Sequence, residues 1–261
     1  MTNEQNQKWA NLLEQAINKP GILHKCYSTF YDYSIGNAIA AMFQLTTRGL
    51  PCGPIATYKK WQSLGRQVKK GEKAIALCMP VTLKKKDEKT DEDKIIPIFV
   101  WRNNWFALAQ TDGEDYSQNI NTKEWVESEA LKTLQIERVP FDSMRQNTQG
   151  YAIKNTVSVS PLAVLPHKTL FHELAHVVLK HTAESNMLDD EQTPKSVKEV
   201  EAESIAMICC EALGLEGAEY SRGYIQEWAN GQTISEKSAQ KIFSAADKIL
   251  KAGTKQQGVE V

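Results

Sequence analysis

The chain has 261 residues, 41% of them hydrophobic, so it is long enough to bury the cores of two globular domains. No run of about 18 apolar residues occurs, which excludes a membrane-spanning helix. The net charge of −1 hides an asymmetry, because residues 1–118 carry 16 Lys/Arg and 12 Asp/Glu whereas the remainder carries 15 and 20.

The first twenty residues are polar and amphipathic and contain no hydrophobic signal core, so we expect a cytoplasmic protein. The five cysteines show neither C-x-x-C spacing nor an even number for pairing, so we expect reduced core residues rather than disulfides or metal ligands.

A basic segment, "YKKWQSLGRQVKKGEKA" at Tyr58–Ala74, carries six basic residues and one acid. It predicts a short helix, a turn at Gly65 and a second turn before the strand "IALCMPVTL". Basic groups interleaved with aromatic rings suit single-stranded DNA, because cations follow phosphates while rings stack on unpaired bases. A solvated basic face is the alternative. The predicted DNA-binding residues here are Tyr58, Lys59, Lys60, Trp61, Arg66, Lys69, Lys70 and Lys73.

The charge run "KKKDEKTDEDK" at Lys84–Lys94 predicts a hairpin loop. Further along, residues 110–121 have the composition of a linker, so we expect a domain boundary near residues 115–125. The predicted domains are residues 1–120 and 121–261. The class is α+β, with a small α+β domain followed by a mostly helical domain that contains a short sheet. The strand "NTVSVSP" in the second domain is expected to align an extended substrate by edge pairing.

The motif "FHELAHVVLKH" at Phe171–His181 predicts a metal site on a buried helix. His172 and His176 are four residues apart, so both imidazoles point from one helix face, while Glu173 is placed to take a proton from a metal-bound water. His181 lies about 140° around the helix from His176, so we interpret it as a helix-end residue beside the negative end of the dipole.

A catalytic zinc needs a third protein ligand, and the helix "KEVEAESIAMICCEALGL" offers one. Glu199 and Glu203 form an i, i+4 pair, so one carboxylate can bind the metal while the other orients a ligand imidazole. The pattern resembles the second metal helix of gluzincins, which implies Glu199 as the ligand and Glu203 as the orienting carboxylate. Glu201 and Glu203 remain alternative ligands.

Seven motifs in order resemble the ArdC-type antirestriction proteins of plasmids and phages. They are "SIGNAIAAM", "YKKWQSLGRQVKKGEKA", "FALAQTDG", "NTVSVSPLA", "FHELAH", "EVEAESIAMICCEALGL" and "YIQEW". The resemblance implies an N-terminal single-stranded-DNA-binding domain, with Asn37 among its motif residues, and a C-terminal zincin-like metallopeptidase domain. It also implies Zn²⁺ as the cofactor, Glu173 as the catalytic base, and protection of incoming DNA from host restriction.

Two other functions fit the residues. One is a regulatory zinc protease resembling the ImmA/IrrE group, which cleaves a repressor, and the other is a DNA-binding module in which zinc only stabilises the fold. The basic N-terminal segment favours the antirestriction function over the first of these. We expect single-stranded DNA as the partner, together with a protein substrate that the sequence does not identify.

Overall fold

The computed structural model describes residues 8–86, 93–117, 124–142, 148–182, 194–229 and 232–254, without the side chains of residues 84–86 and 93–97. These residues divide into two compact units, one comprising residues 37–117 and the other residues 8–36 and 124–254. Within these ranges, no helix is both long and apolar enough to cross a membrane.

The elements of the first unit in chain order are α3 (Ile35–Thr47, of which the first two residues belong to the other unit), β1 (Ile55–Thr57), α4 (Tyr58–Ser63), β2 (Arg66–Val68), β3 (Ile75–Lys86), β4 (Asp93–Ala107), a 3-10 turn (Leu108–Gln110) and β5 (Thr111–Gly113). Three of the strands form an antiparallel sheet with the order β1-β4-β3, and β2 and β5 form a separate antiparallel pair. The predicted hairpin loop is shorter than the charge run, because strand pairing continues to Lys86 and Asp93. Residues 87–92 lie outside the described residues.

Helix α3 covers the outer edge of β3 with two side-chain amides. Asn37 donates to the carbonyl of Cys78 and accepts from its N–H at 2.8 and 2.9 Å, and Gln44 makes the same pair of bonds with Ala76 at 2.8 and 2.9 Å. The two amides are seven residues apart and share one helix face, while Ala76 and Cys78 share one side of the strand. These bonds satisfy the polar groups that an edge strand otherwise exposes.

The second unit is mostly helical. Its elements are α1 (Trp9–Asn18), α2 (Ile22–Thr29), α5 (Glu127–Leu134), β6 (Glu137–Arg138), β7 (Gly150–Ile153), β8 (Thr156–Val159), α6 (Pro166–Val178), α7 (Lys195–Leu213), α8 (Ala218–Trp228) and α9 (Glu236–Ala252). The longest of these helices, α7, has a largely buried surface and packs against α2, α6, α8 and α9. The predicted α+β class is confirmed.

Residues 8–36, which the sequence places with the N-terminal domain, pack in the second unit. The buried Arg222 guanidinium donates to the carbonyls of Ala16 and Ile17 and pairs with Glu211. The other oxygen of Glu211 accepts from the N–H of Leu23 at 3.0 Å. A buried ion pair therefore holds the carbonyl end of α1 and the first turn of α2.

The strand predicted to align a substrate is the centre of its sheet. The order is β6-β8-β7, so β8 uses one side to pair with β6 and the other to pair with β7. The edge-pairing role expected for "NTVSVSP" is therefore wrong for this strand. Among the described residues, β7 lies at the edge of this sheet and also packs against α6.

Candidate functional site

The metal motif lies on α6, and its apolar residues hold that helix in the core. Pro166 occupies the first turn, where its missing N–H leaves no intrahelical hydrogen bond unmade. Leu170, Phe171, Leu174 and Ala175 are at most 2% exposed, so they fix the rotation of the helix about its axis. His172 and His176 consequently project together from the remaining face, toward α7.

Three of the predicted ligands converge. Nε2 of His172 lies 3.1 Å from Nε2 of His176 and 3.4 Å from Oε2 of Glu199, and the third separation, from His176 to Glu199, is 3.8 Å. Four ligands about 2.05 Å from a tetrahedral zinc lie about 3.3 Å apart. The three atoms thus already stand at the spacing that such an ion requires. Among the described residues, no other group of three or more His, Cys, Asp or Glu residues brings its ligand atoms within 4.8 Å of one another.

Glu203 lies behind His172, on the side away from these donor atoms. Its Oε1 is 3.3 Å from Nδ1 of His172 and accepts a 2.9 Å hydrogen bond from Nζ of Lys168. The histidine contact is within ion-pair range, although Nδ1 makes no aligned hydrogen bond. Glu203 therefore occupies the position predicted for the carboxylate that orients His172, while Glu199 faces the shared ligand point.

The ionisable groups in this cluster shift one another's pKa values. Burial lowers the pKa of His172, but contacts with the Glu199 and Glu203 carboxylates outweigh it and raise that pKa to about 9. Hydrogen bonds from His172 and His176 hold the pKa of Glu199 well below its usual range. Burial raises the pKa of Glu203, yet its contacts with His172 and Lys168 bring that pKa down to about 2. Both carboxylates are thus ionised at neutral pH and can bind a cation.

Glu173, the predicted catalytic base, is 7% exposed. Burial raises its pKa, and the neighbouring histidines only partly offset this effect. The first residue of β7 lies against it, since a Cβ on Gly150 would come within 3.2 Å of Glu173 Cγ and 2.6 Å of Thr169 Cγ2. A glycine at position 150 therefore lets the strand approach the carboxylate closely.

His181 was interpreted from the sequence as a helix-end residue, and the structure places it behind His176. Lys180 adopts a left-handed conformation, with φ of 60°, and turns the chain so that the His181 N–H bonds to the His176 carbonyl at 2.8 Å. Nδ1 of His181 then lies 3.1 Å from Nδ1 of His176, and its Nε2 lies 3.1 Å from Oε2 of Glu201. The angle of about 140° between His181 and His176 assumes a continuous helix. The left-handed Lys180 interrupts the helical geometry before His181, so that angle does not apply.

Glu201, an alternative ligand in the sequence analysis, faces His181 rather than the convergence point. Its side chain is 2% exposed. The arrangement therefore favours Glu199 over Glu201 and Glu203 as the third donor.

The basic segment presents only part of its predicted DNA-binding set to solvent. The side chains of Lys59, Lys60, Lys70 and Lys73 are exposed, and Tyr58 is 37% exposed. These five residues could contact phosphates and bases directly.

Three other members of the predicted set make internal contacts in the first unit. Lys69, although exposed, donates to the Ala109 carbonyl and lies 3.6 Å from Asp112. Arg66 donates to both the hydroxyl and the carbonyl of Thr111. Asn37 uses its amide on the backbone of β3, as described above. Arg66 and Asn37 thus hold this unit together, and a DNA-contacting role does not follow from their positions.

Trp61 lies in the core of the first unit. It is 1% exposed, its Nε1–H donates to the Phe106 carbonyl at 2.8 Å, and its ring meets the edge of Tyr116 at 5.3 Å between centroids. No face of the indole is open to a base, so the stacking role predicted for Trp61 is not available to it in this structure. Tyr58, one helical turn earlier, is the aromatic residue of α4 at the surface.

Comparison with known proteins identifies a family for the N-terminal part of the chain. Residues 2–128 match the family model described as the N-terminal domain of anti-restriction factor ArdC. Two crystal structures of antirestriction ArdC protein from plasmid R388 are similar to this chain over most of its length. The metal-free form is 19% identical over 94% of each chain, with a TM-score of 0.49, and the Mn(II)-bound form is 19% identical over 85% of each chain, with a TM-score of 0.47.

No curated protein matches the chain. The R388 structures are too distant for residue roles to be carried over. Residues 2–128 belong to the family of ArdC N-terminal domains, as the sequence motifs in this part of the chain predict.

Proposed function

We propose that this protein is an antirestriction factor that binds single-stranded DNA through its first unit and carries a zinc peptidase site in its second. It would protect incoming plasmid or phage DNA from host restriction. The convergence of His172, His176 and Glu199 beside the buried Glu173 is the observation that supports the peptidase site. Two imidazoles and one carboxylate are a donor set that catalytic zinc uses, with one further coordination position left for water or substrate.

The donor types favour zinc, because imidazole nitrogens and carboxylate oxygens are among its usual ligands, whereas Mg²⁺ and Ca²⁺ prefer oxygen ligands alone. A tetrahedral zinc with bonds of about 2.05 Å needs adjacent donors about 3.3 Å apart. The separations at this site run from 3.1 to 3.8 Å. Since one of the R388 ArdC crystals contains Mn(II), a metal test should include both ions.

When bound, zinc would polarise a peptide carbonyl and lower the pKa of its water to about 7. Glu173 would accept the proton of that water and deliver it to the leaving amine, because its carboxylate is buried beside the donor atoms without being one of them. The raised pKa of Glu173 suits a group that first takes up and then releases a proton. An extended substrate would pair with the edge of β7, since this strand packs against α6 and approaches Glu173 at Gly150.

The DNA-binding function is supported by the exposed cations of the basic segment together with Tyr58. Flexible lysines neutralise phosphates without reading sequence, and a single exposed ring can stack on any base. We therefore expect binding with little sequence preference and a strong dependence on salt.

Replacing Glu173 by Gln tests the peptidase site. The wild type and the variant should each contain about one zinc per chain, whereas cleavage of a mixture of unstructured peptides, followed by mass spectrometry, should be lost in the variant. The same change at the exposed Glu219 is the control and should alter neither quantity. Cleavage that survives Glu173→Gln would refute the role of Glu173. Zinc binding without any cleavage by the wild type would favour the purely structural zinc.

A further inference from the structure

The contacts behind His176 form a chain of three residues from two parts of the second unit. Glu201 lies on α7, His181 lies in the turn after α6, and His176 lies in the last turns of α6. The distances along this chain are 3.1 Å from Glu201 Oε2 to His181 Nε2 and 3.1 Å from His181 Nδ1 to His176 Nδ1. The side chains of Glu201 and His181 are 2% and 8% exposed, so water has little access to the chain.

The direction of these hydrogen bonds follows from which atoms of each side chain can donate and which can accept. An ionised carboxylate can only accept, so Nε2 of His181 must carry a proton and donate to Glu201. In the tautomer that donates from Nε2, His181 has its lone pair on Nδ1, which accepts the proton of His176 Nδ1. The matching tautomer of His176 has its lone pair on Nε2, the nitrogen that points to His172 and Glu199.

We propose that His181 is a positioning residue which, anchored by Glu201, fixes His176 in the Nδ1-protonated tautomer and so presents its Nε2 lone pair to the metal. This inference builds on the proposed metal site. On the other side of the site, Oε1 of Glu203 lies 3.3 Å from Nδ1 of His172. Helix α7 thus supplies a donor, Glu199, and two further carboxylates, which face His172 and His181. Partners of this kind raise metal affinity by about 10- to 100-fold.

Two substitutions of His181 distinguish a role in orienting His176 from a role in packing alone. In Asn, the side-chain oxygen can occupy the place of the histidine Nδ1, so His181→Asn keeps an acceptor for His176, whereas His181→Leu fills similar space without one. Zinc affinity, measured by competition with a chromophoric chelator, should fall about 10- to 100-fold in His181→Leu and stay within a few-fold of wild type in His181→Asn. His167→Leu, at an exposed histidine of the same helix, is the control and should not change the affinity.

A second measurement requires neither metal nor substitution. Long-range ¹H–¹⁵N correlation spectra of chelator-treated wild type should show His176 as the Nδ1–H tautomer and His181 as the Nε2–H tautomer. Finding His176 as the Nε2–H tautomer would overturn the proposal, as would equal losses of affinity in His181→Leu and His181→Asn. If the wild type binds no zinc, the proposed peptidase site fails, while the tautomers still decide whether the chain of hydrogen bonds exists.

Discussion

Trp61 and Tyr58 lie one turn apart on α4 and should respond to truncation in opposite ways. Trp61→Ala removes a ring that is 1% exposed and leaves the Phe106 carbonyl without the indole N–H that lies 2.8 Å away. Tyr58→Ala removes a ring that is 37% exposed. Folding stability should therefore depend on the first residue, and DNA affinity on the second.

The magnitudes follow from burial. Truncating a buried Trp or Phe to Ala costs about 3–5 kcal/mol, and losing a hydrogen bond adds about 1 kcal/mol. A loss of about 4–6 kcal/mol is a large fraction of the roughly 5–15 kcal/mol that holds a typical domain folded. Tyr58→Ala, a surface change, should alter unfolding free energy by no more than about 0.5 kcal/mol. Since stacking on one base contributes about 1–3 kcal/mol, it should weaken single-stranded DNA binding by about 5- to 150-fold.

Urea unfolding followed by circular dichroism measures the first quantity, and fluorescence anisotropy with a labelled oligo-dT measures the second. Trp61→Ala should lose DNA affinity only to the extent that the first unit unfolds. A well-folded Trp61→Ala protein with at least 5-fold weaker DNA binding would refute the reasoning, because it would require an accessible indole. Unchanged affinity in Tyr58→Ala would remove Tyr58 from the interface.

Two further outcomes concern the metal site. Glu199→Ala should lose most of the bound zinc, measured by mass spectrometry of the metal, whereas Glu219→Ala should keep it; equal retention would remove Glu199 from the ligand set. In chelator-treated protein, the raised pKa of His172 should give stability that is complete below about pH 6.5 and is lost as pH rises through about 9. Thermal unfolding across that range should show the decline in wild type, and His172→Asn should lack it.

The convergence of His172, His176 and Glu199 could be predicted because its geometry is local. The i, i+4 spacing of His172 and His176 and of Glu199 and Glu203 fixes which side chains share a helix face, whatever the rest of the fold. A single tertiary contact, α6 against α7, then brings the two pairs together. The buried residues of α6 and α7 determine which faces of the two helices are in contact.

The burial of Trp61 and the position of β8 could not be predicted in the same way. Helix α4 has six residues, too few for periodicity to separate a buried face from an exposed one. The central position of β8 depends on pairing with β6 and β7, two short strands that carry no clear alternation. His181 does lie at the helix end, but its contact with His176 was not predicted because it depends on one left-handed residue, Lys180, which a helical projection does not represent.

The packing around Glu173 argues for a catalytic rather than a structural use of the metal. Structural zinc sites are closed by four protein ligands, and the cluster within the described residues offers three. Burial disfavours the charge of the Glu173 carboxylate, which is not one of the three donors. A general base needs this position and this raised pKa. Gly150 adds to the argument, because it brings a strand edge to the carboxylate that a peptidase would use and a structural site would not.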